Sequence, residues 1–459
     1  MTLAPHRANI DGVDLDRAYA EHFGPFGARV WLNTAHQGPL PKLALEAAKA
    51  ALEQKARPHL LRDEDFFEVP RKLREALGKL TGAAPEEIIL GNSTTYGLDL
   101  LANGMRWQRG DEILVVDGDF PANVFPWLIL RNQGVSVRFI QARGGAIEAE
   151  QLAVEISPRT RLFCTSWVNS FSGYAIDVDG LGQVCRNNDV IFVLNAAQGL
   201  GARVLDVQAS PVDAVTCCGY KWLCGPYATG FCWLTPALRE SLTLRHAYWL
   251  TMQSGKPLDK IRDYSMRSDL GARAWDLFCT ANFLNFVPWT AAIEYLLQAG
   301  PANIASYDER LVTRFLENLD GDRFELISPR TGPQRSTLIV MRPREPGRPE
   351  LGTNALPELG STSPFERAIF VSAPISTTPS KTSPIFCGRS RRRRGPSHRP
   401  WLRARNPALR SGVEGSRRRL ASNRNATKGS TLEPRLVGTW LATNATTVRG
   451  KRPRRWPGR

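Results

Sequence analysis

Val190-Ile191-Phe192-Val193-Leu194-Asn195-Ala196-Ala197-Gln198-Gly199-Leu200-Gly201 is the stretch on which the fold turns. Five apolar residues run without polar alternation, which is the pattern of a strand covered on both faces. Two amides and two glycines follow at the strand's end. Working outward, short β-rich runs recur at Ile88–Gly91, Glu112–Val116, Val135–Ile140, Leu162–Ser166, Ala214–Cys217 and Gly230–Leu234. Helical patterns separate most of them: Lys42–Gln54, Glu68–Leu80, Thr95–Met105 and Val178–Asn187. Such alternation predicts an α/β three-layer sandwich built on a mostly parallel seven-stranded sheet. Ligands of such sheets sit at the carboxyl ends of the strands, so the residues just after each strand are the candidate site.

A helix-rich stretch, Pro288–Leu319, and strand-like runs at Phe324–Ile327 and Ser336–Met341 begin a smaller α+β domain that then breaks off. The expected division is 1–30 as an N-terminal segment, 31–287 as the large domain, 288–350 as an incomplete small domain and 351–459 as a tail. The chain has 459 residues and a net charge of +16, and the charge is unevenly placed. Residues 351–459 carry 23 Lys/Arg against 4 Asp/Glu, while the first 350 carry 37 against 40. Only 19 of the last 109 residues are Leu, Ile, Val or Phe, too few to offset the entropy of ordering. This basic tail is expected not to fold. Arg, Pro, Ser, Gly and Ala with few acids is also the composition that GC-rich coding DNA yields out of frame, so a frameshift is one origin for it.

No run of eighteen apolar residues occurs, which argues against a membrane span. The start, MTLAPHRANIDG, lacks a basic region followed by an apolar stretch, and no secretory signal is expected. Eight cysteines without metal-ligand spacing fit a reducing, cytoplasmic compartment, and no metal site is expected.

Each strand end offers polar groups. Gly91-Asn92-Ser93-Thr94-Thr95-Tyr96 opens a helix with hydroxyls and free amides, a phosphate cradle or an ordinary N-cap. Phe120 either lies flat on a planar ligand or packs as a core aromatic. Asn195 and Gln198, three residues apart, can point at one ligand or end a strand. Lys221 follows a buried strand between Cys217, Cys218, Trp222 and Leu223. A lysine there either loses solvation and gains nucleophilicity or snorkels to water.

Together these pieces resemble the class V aminotransferase family of pyridoxal-phosphate enzymes, which includes cysteine desulfurases, isopenicillin N epimerases and kynureninases. The resemblance runs from about Trp31 to Met341, beginning with Leu32-Asn33-Thr34-Ala35-His36-Gln37-Gly38-Pro39. It implies fold type I and pyridoxal 5'-phosphate as cofactor. Lys221 is then the Schiff-base lysine, Ser93, Thr94 and Thr95 the phosphate loop, and Phe120 the ring that stacks on the cofactor. Asn169 in Trp167-Val168-Asn169-Ser170 faces the cofactor, Gln198 its phenolic oxygen, and Tyr220 its phosphate. Thr280 in Cys279-Thr280-Ala281-Asn282 is similar to a segment that reaches the phosphate of a neighbouring subunit, which implies a homodimer with shared active sites.

The implied activity is on a small amino-acid substrate, by transamination, lysis or epimerisation. Two departures qualify it. Asn195 stands where the family places Asp, which removes the charge that keeps the ring nitrogen protonated. No Arg for the substrate carboxylate and no nucleophilic Cys stands in a recognisable C-terminal setting; Cys387 lies in the tail. Cysteine desulfurase or selenocysteine lyase-like activity, or a catalytically impaired homologue that binds the cofactor, are the alternatives. A further alternative is nucleic-acid binding through Ser390–Gly395 and Lys451–Trp456, though no stacking surface accompanies those charges.

Overall fold

The computed structural model describes residues 22–26, 31–253, 269–278 and 282–344, with residues 262, 264, 267 and 280 and strand pieces at 9–10, 13–14 and 369–371. The rest of the N-terminal segment and of the tail, including Cys387 and both basic runs, lies outside the described residues.

Seven strands form one sheet: β1 (Ile88–Gly91), β2 (Glu112–Val116), β3 (Ser136–Ile140), β4 (Thr160–Ser166), β5 (Ile191–Asn195), β6 (Ala214–Cys218) and β7 (Gly230–Leu234). Their spatial order is β1-β7-β6-β5-β4-β2-β3. Only β7 runs antiparallel to its neighbours β1 and β6; the other pairs are parallel. The strand order reverses between β2 and β4, and β2 pairs with both β3 and β4.

Alternation of side chains explains why these runs lack polar residues. Ile88, Leu90, Leu114, Val116, Phe192 and Leu194 join one core with Leu73, Leu77 and Trp289, while Ile89, Ile113, Val115 and Val193 join another with Leu98, Leu101 and Trp127. Successive residues of a strand point to opposite faces, so both faces must be apolar. The first face is covered by α1 (Lys42–Ala56), α2 (Asp65–Thr81) and a long apolar helix, Phe283–Ala299. The other face is covered in part by α3 (Thr94–Gly104).

The outer edge of β1 is covered too. Leu90 N–H donates to Asp276 at 2.8 Å, and Leu277 N–H donates back to the Leu90 carbonyl at 3.1 Å. An edge so covered offers no template for another chain. Arg74, on α2, forms a buried ion pair with the same Asp276 and donates to the Ile88 carbonyl at 3.3 Å.

A smaller sheet pairs β8 (Phe324–Leu326) antiparallel with β9 (Leu338–Pro343). Its core holds Val312, Leu316, Phe324, Ile339 and Met341. A third strand, β10 (Ile369–Val371), runs parallel to β9, so three residues of the segment expected not to fold lie in a sheet. Pro288–Leu319 is two helices, Phe283–Ala299 and Pro301–Glu317. Gly300, with φ of +82°, breaks the run.

Candidate active site

The site lies along the carboxyl ends of β4, β5 and β6, where Ser166, Asn195 and Thr216 stand in one rung. The Ser93–Thr95 turn follows β1. Ser93 is extended and caps α3, its hydroxyl accepting from Tyr96 N–H at 3.2 Å. The amides of Thr94 and Thr95, in the first helical turn, have no acceptor within the helix. Gly230 pairs with Gly91 in register, and a Cβ on it would come within 2.5 Å of the Ser93 nitrogen. Thr94 donates nothing to a nitrogen or oxygen: its hydroxyl is buried without such a partner, with only the Cys218 thiol against it. The Thr94 carbonyl accepts from the Thr216 hydroxyl at 2.7 Å, which fixes the turn to β6. Thr95 is half-buried.

Lys221 follows β6 and is 7% exposed. Its ammonium stands 5.1 Å from the centroid of the Phe120 ring and 6.0 Å from that of Tyr220. The backbone around it is packed by the N-terminal segment. Gly38 N–H donates to the Tyr220 carbonyl at 2.9 Å, and a Cβ on Gly38 would fall 1.9 Å from the Lys221 carbonyl oxygen. Burial, and secondarily the neighbouring Cys218 thiol, pushes the Tyr220 hydroxyl up to about 12.

Phe120 is 38% exposed, unlike the fully buried aromatics of the core, and stacks on Phe171 with centroids 6.3 Å apart. Phe171 was not legible as a site residue. Asn169 accounts for its position: the carboxamide oxygen accepts the N–H groups of Phe171 at 2.9 Å and Ser172 at 3.0 Å. Asn169 thus holds the loop that carries the second ring, and its Nδ2 faces the Gly118 carbonyl at 3.5 Å.

Gln198 is held at both ends, donating to the Ala35 carbonyl at 3.0 Å and accepting from Trp222 Nε1 at 2.9 Å. One N–H of its amide remains for a ligand. Asn195 donates to Asn123 Oδ1 at 2.7 Å and accepts from Ala197 N–H at 3.0 Å. Behind Asn123 lies a buried carboxylate missed in the sequence, Asp119. It accepts from Asn123 Nδ2 at 2.9 Å, Ser166 Oγ at 2.6 Å, Ser166 N–H at 2.8 Å and Phe120 N–H at 2.6 Å. Thr280 is exposed in a turn, and among the described residues no hydrogen bond joins it to the Ser93–Thr95 turn.

This donor set suits pyridoxal phosphate. An amine beside an open aromatic face accommodates a flat aldehyde. A helix N-terminus with an orphaned buried hydroxyl accommodates a phosphate dianion. Among the described residues no group of His, Cys, Asp and Glu could hold a metal, and no helix is long and apolar enough to cross a membrane.

Comparison with known proteins agrees with this geometry. The family model described as aminotransferase class-V matches residues 47–344. A probable cysteine desulfurase of Methanothermobacter thermautotrophicus is 27% identical over 258 residues, 55% of this chain and 63% of that one. The chain therefore spans less than two thirds of that relative's length. The isopenicillin N epimerase of Streptomyces clavuligerus is 29% identical over 307 residues, 64% of this chain and 75% of the epimerase. A solved variant of C-DES with glycine covalently linked to its PLP cofactor superimposes with a TM-score of 0.64 at 21% identity, covering 78% of this chain and 91% of that one.

Proposed function

The chain belongs to the aminotransferase class-V family, and on that premise we propose that it is a pyridoxal-phosphate-dependent enzyme acting on a small amino acid through Lys221. The observation that carries this reading is the buried Lys221 ammonium 5.1 Å from the half-open face of Phe120, at the carboxyl ends of the strands, where the Thr94 hydroxyl is buried without a nitrogen or oxygen partner. When bound, the cofactor supplies an electron sink that loosens bonds at the substrate's α-carbon.

The chain's own residues do the rest. Lys221 would hold the cofactor covalently, and its free amine would carry the α-proton of the substrate. Phe120, backed by Phe171, fixes the plane of the ring. The Thr94 and Thr95 amides, the Thr94 hydroxyl and the positive end of α3 carry the phosphate charge, with Tyr220 beside them. Gln198, clamped by Ala35 and Trp222, directs its remaining N–H at the phenolic oxygen. Trp31–Pro39 and Trp222 exclude water from the lysine. Thr280 reaches the phosphate of a second copy, which makes the active unit a homodimer. The six described cysteines are buried, so none of them is a surface nucleophile for sulfur transfer.

Visible absorption of the purified chain with added pyridoxal phosphate, followed by borohydride reduction and peptide mapping, tests the reading. Label on the peptide containing Lys221 is the expected result. A chain that stays colourless, or a label elsewhere, overturns it.

A further inference from the structure

The buried polar network behind the site has a direction, and every bond in it is forced. Ala197 and Ser166 present backbone N–H groups, which only donate. The atom of Asn195 facing Ala197 must therefore be its oxygen, 3.0 Å away, and its NH2 group must face Asn123. Asp119 takes the Ser166 N–H at 2.8 Å and the Phe120 N–H at 2.6 Å, one on each oxygen, and both oxygens accept. Asn123 must then turn its NH2 to Asp119 and Ser166, at 2.9 Å each, and its oxygen to Asn195. The chain Asn195 to Asn123 to Asp119 is thus a run of donors all pointing toward the carboxylate. Asp119, Asn123 and Asn195 are all buried, so water does not loosen it.

From this the geometry points to Asp119 as a positioning residue that fixes the orientation of Asn123 and so, together with the Ala197 N–H, locks the polarity of Asn195. The amide of Asn195 then has its second N–H left for a ligand, beside one lone pair of an oxygen already held by the Ala197 N–H, and we take that N–H as the group facing the ring. This inference rests on the proposed cofactor reading. An N–H donor meeting the ring nitrogen of pyridoxal phosphate needs a lone pair there, so the nitrogen is held unprotonated.

The same polarity dictates what a carboxylate at position 195 would meet. In Asn195→Asp, the new oxygen faces Asn123 Oδ1 across a 2.7 Å gap, acceptor against acceptor. Asn123 cannot turn over without setting its own oxygen against Asp119. The new carboxyl therefore keeps a proton and donates it to Asn123, remaining neutral. Asp119→Ala combined with Asn195→Asp removes that obstacle without setting a new amide NH2 against the Ser166 or Phe120 N–H: Asn123 turns over, donates to the new carboxylate, and the charge now sits next to the ring.

Nitrogen-15 NMR of the chain loaded with ring-labelled pyridoxal phosphate, with borohydride mapping in parallel, is the test. The ring nitrogen of the wild type and of Asn195→Asp is expected at the unprotonated position from about pH 6 to about pH 9, and that of Asp119→Ala/Asn195→Asp at the protonated position. A purely structural role for Asp119 would leave the ring nitrogen of the double variant where the single variant has it, which overturns the inference. A protonated wild-type ring overturns it without any variant, so a double variant that fails to fold does not shelter it. Label mapping to Lys221 with a protonated ring sinks this inference alone; absence of label at Lys221 sinks the cofactor reading as well.

Discussion

Asp276→Asn should be among the most damaging single substitutions outside the ligand-facing residues. The Asp276 side chain is 2% exposed and that of Arg74 9%, and each is the other's only close opposite charge among the described ion pairs. Burial pushes the Asp276 carboxyl up to about 6 and lowers the Arg74 guanidinium, so each holds its charge against desolvation by the other. The asparagine oxygen can still take the Leu90 N–H that Asp276 accepts at 2.8 Å, so that backbone bond survives. What is lost is the counter-charge, and a stranded buried guanidinium costs about 3–5 kcal/mol. At roughly 2–4 °C per kcal/mol for a domain of this size, the thermal midpoint should fall by about 6–20 °C. Adding Arg74→Met removes the stranded charge and leaves the Ile88 carbonyl, now served by Arg74 at 3.3 Å, without its side-chain donor, a cost of about 1–3 kcal/mol. The double variant should therefore melt above the single one. Circular dichroism melts of wild type, single and double variants measure this. A fall of less than about 3 °C for Asp276→Asn, or a double variant that melts lower than the single, would refute the reasoning.

Other outcomes follow from the site. Gly230→Ala forces a Cβ to within 2.5 Å of the Ser93 nitrogen and must displace the Ser93–Thr95 turn; on the proposed function, cofactor affinity by absorbance titration should weaken by at least about tenfold, or 1.4 kcal/mol, while affinity within twofold of wild type would show the turn yields freely. Tyr220, raised to about 12 from an ordinary value of 10.0, favours its neutral form in the folded state. Its contribution is complete below about pH 10 and is lost as pH rises through about 12, so the stability difference between wild type and Tyr220→Phe should shrink over that window in alkaline denaturation. A constant difference would contradict it. Burial pushes the Cys185 and Cys232 thiols up to about 12, so mass-mapped alkylation near pH 8 should leave both unmodified in the native chain and modify both in denaturant.

The large sheet was legible because both-face burial leaves a mark in sequence. Glu112–Val116, Gly230–Leu234 and Val178–Asn187 are elements with the bounds expected of them. Ile88–Gly91 also kept its expected bounds, and boundaries elsewhere moved by a residue or a few. Asp65–Thr81 starts three residues before the expected Glu68, with Asp65 and Glu68 both in the first turn, where the helix dipole favours acids. The site was legible where one residue carries one chemistry: an amine at Lys221, a ring at Phe120, hydroxyls at Ser93–Thr95. What stayed hidden was everything that acts by convergence. Asp119 and Asn123 flank Phe120 in the chain and look like loop polarity; nothing local says that Ser166, 47 residues away from Asp119, and Asn195, 72 from Asn123, will close on them. Phe171 was hidden for the same reason, since its place depends on the turn around Asn169.

One rung of the sheet joins the two ends of the site. Ser166, Asn195 and Thr216 are register partners on β4, β5 and β6. Ser166 donates to Asp119 and so anchors the network around Asn195; Thr216 donates to the Thr94 carbonyl and so anchors the Ser93–Thr95 turn. The two anchors lie two strand spacings apart, roughly 10 Å, and neither can move without the other because parallel pairing fixes all three strands. A slip of one residue in β5 would turn Asn195 to the opposite face and send Leu194 toward the ligand. The apolar run Ile191–Leu194 prevents that slip, since Phe192 and Leu194 fill one core and Val193 the other. Asn195 and the Ser93–Thr95 turn, proposed to meet the cofactor's ring nitrogen and its phosphate, are therefore kept in mutual register by hydrophobic packing, and a core substitution such as Phe192→Ala should loosen both ends of the site together.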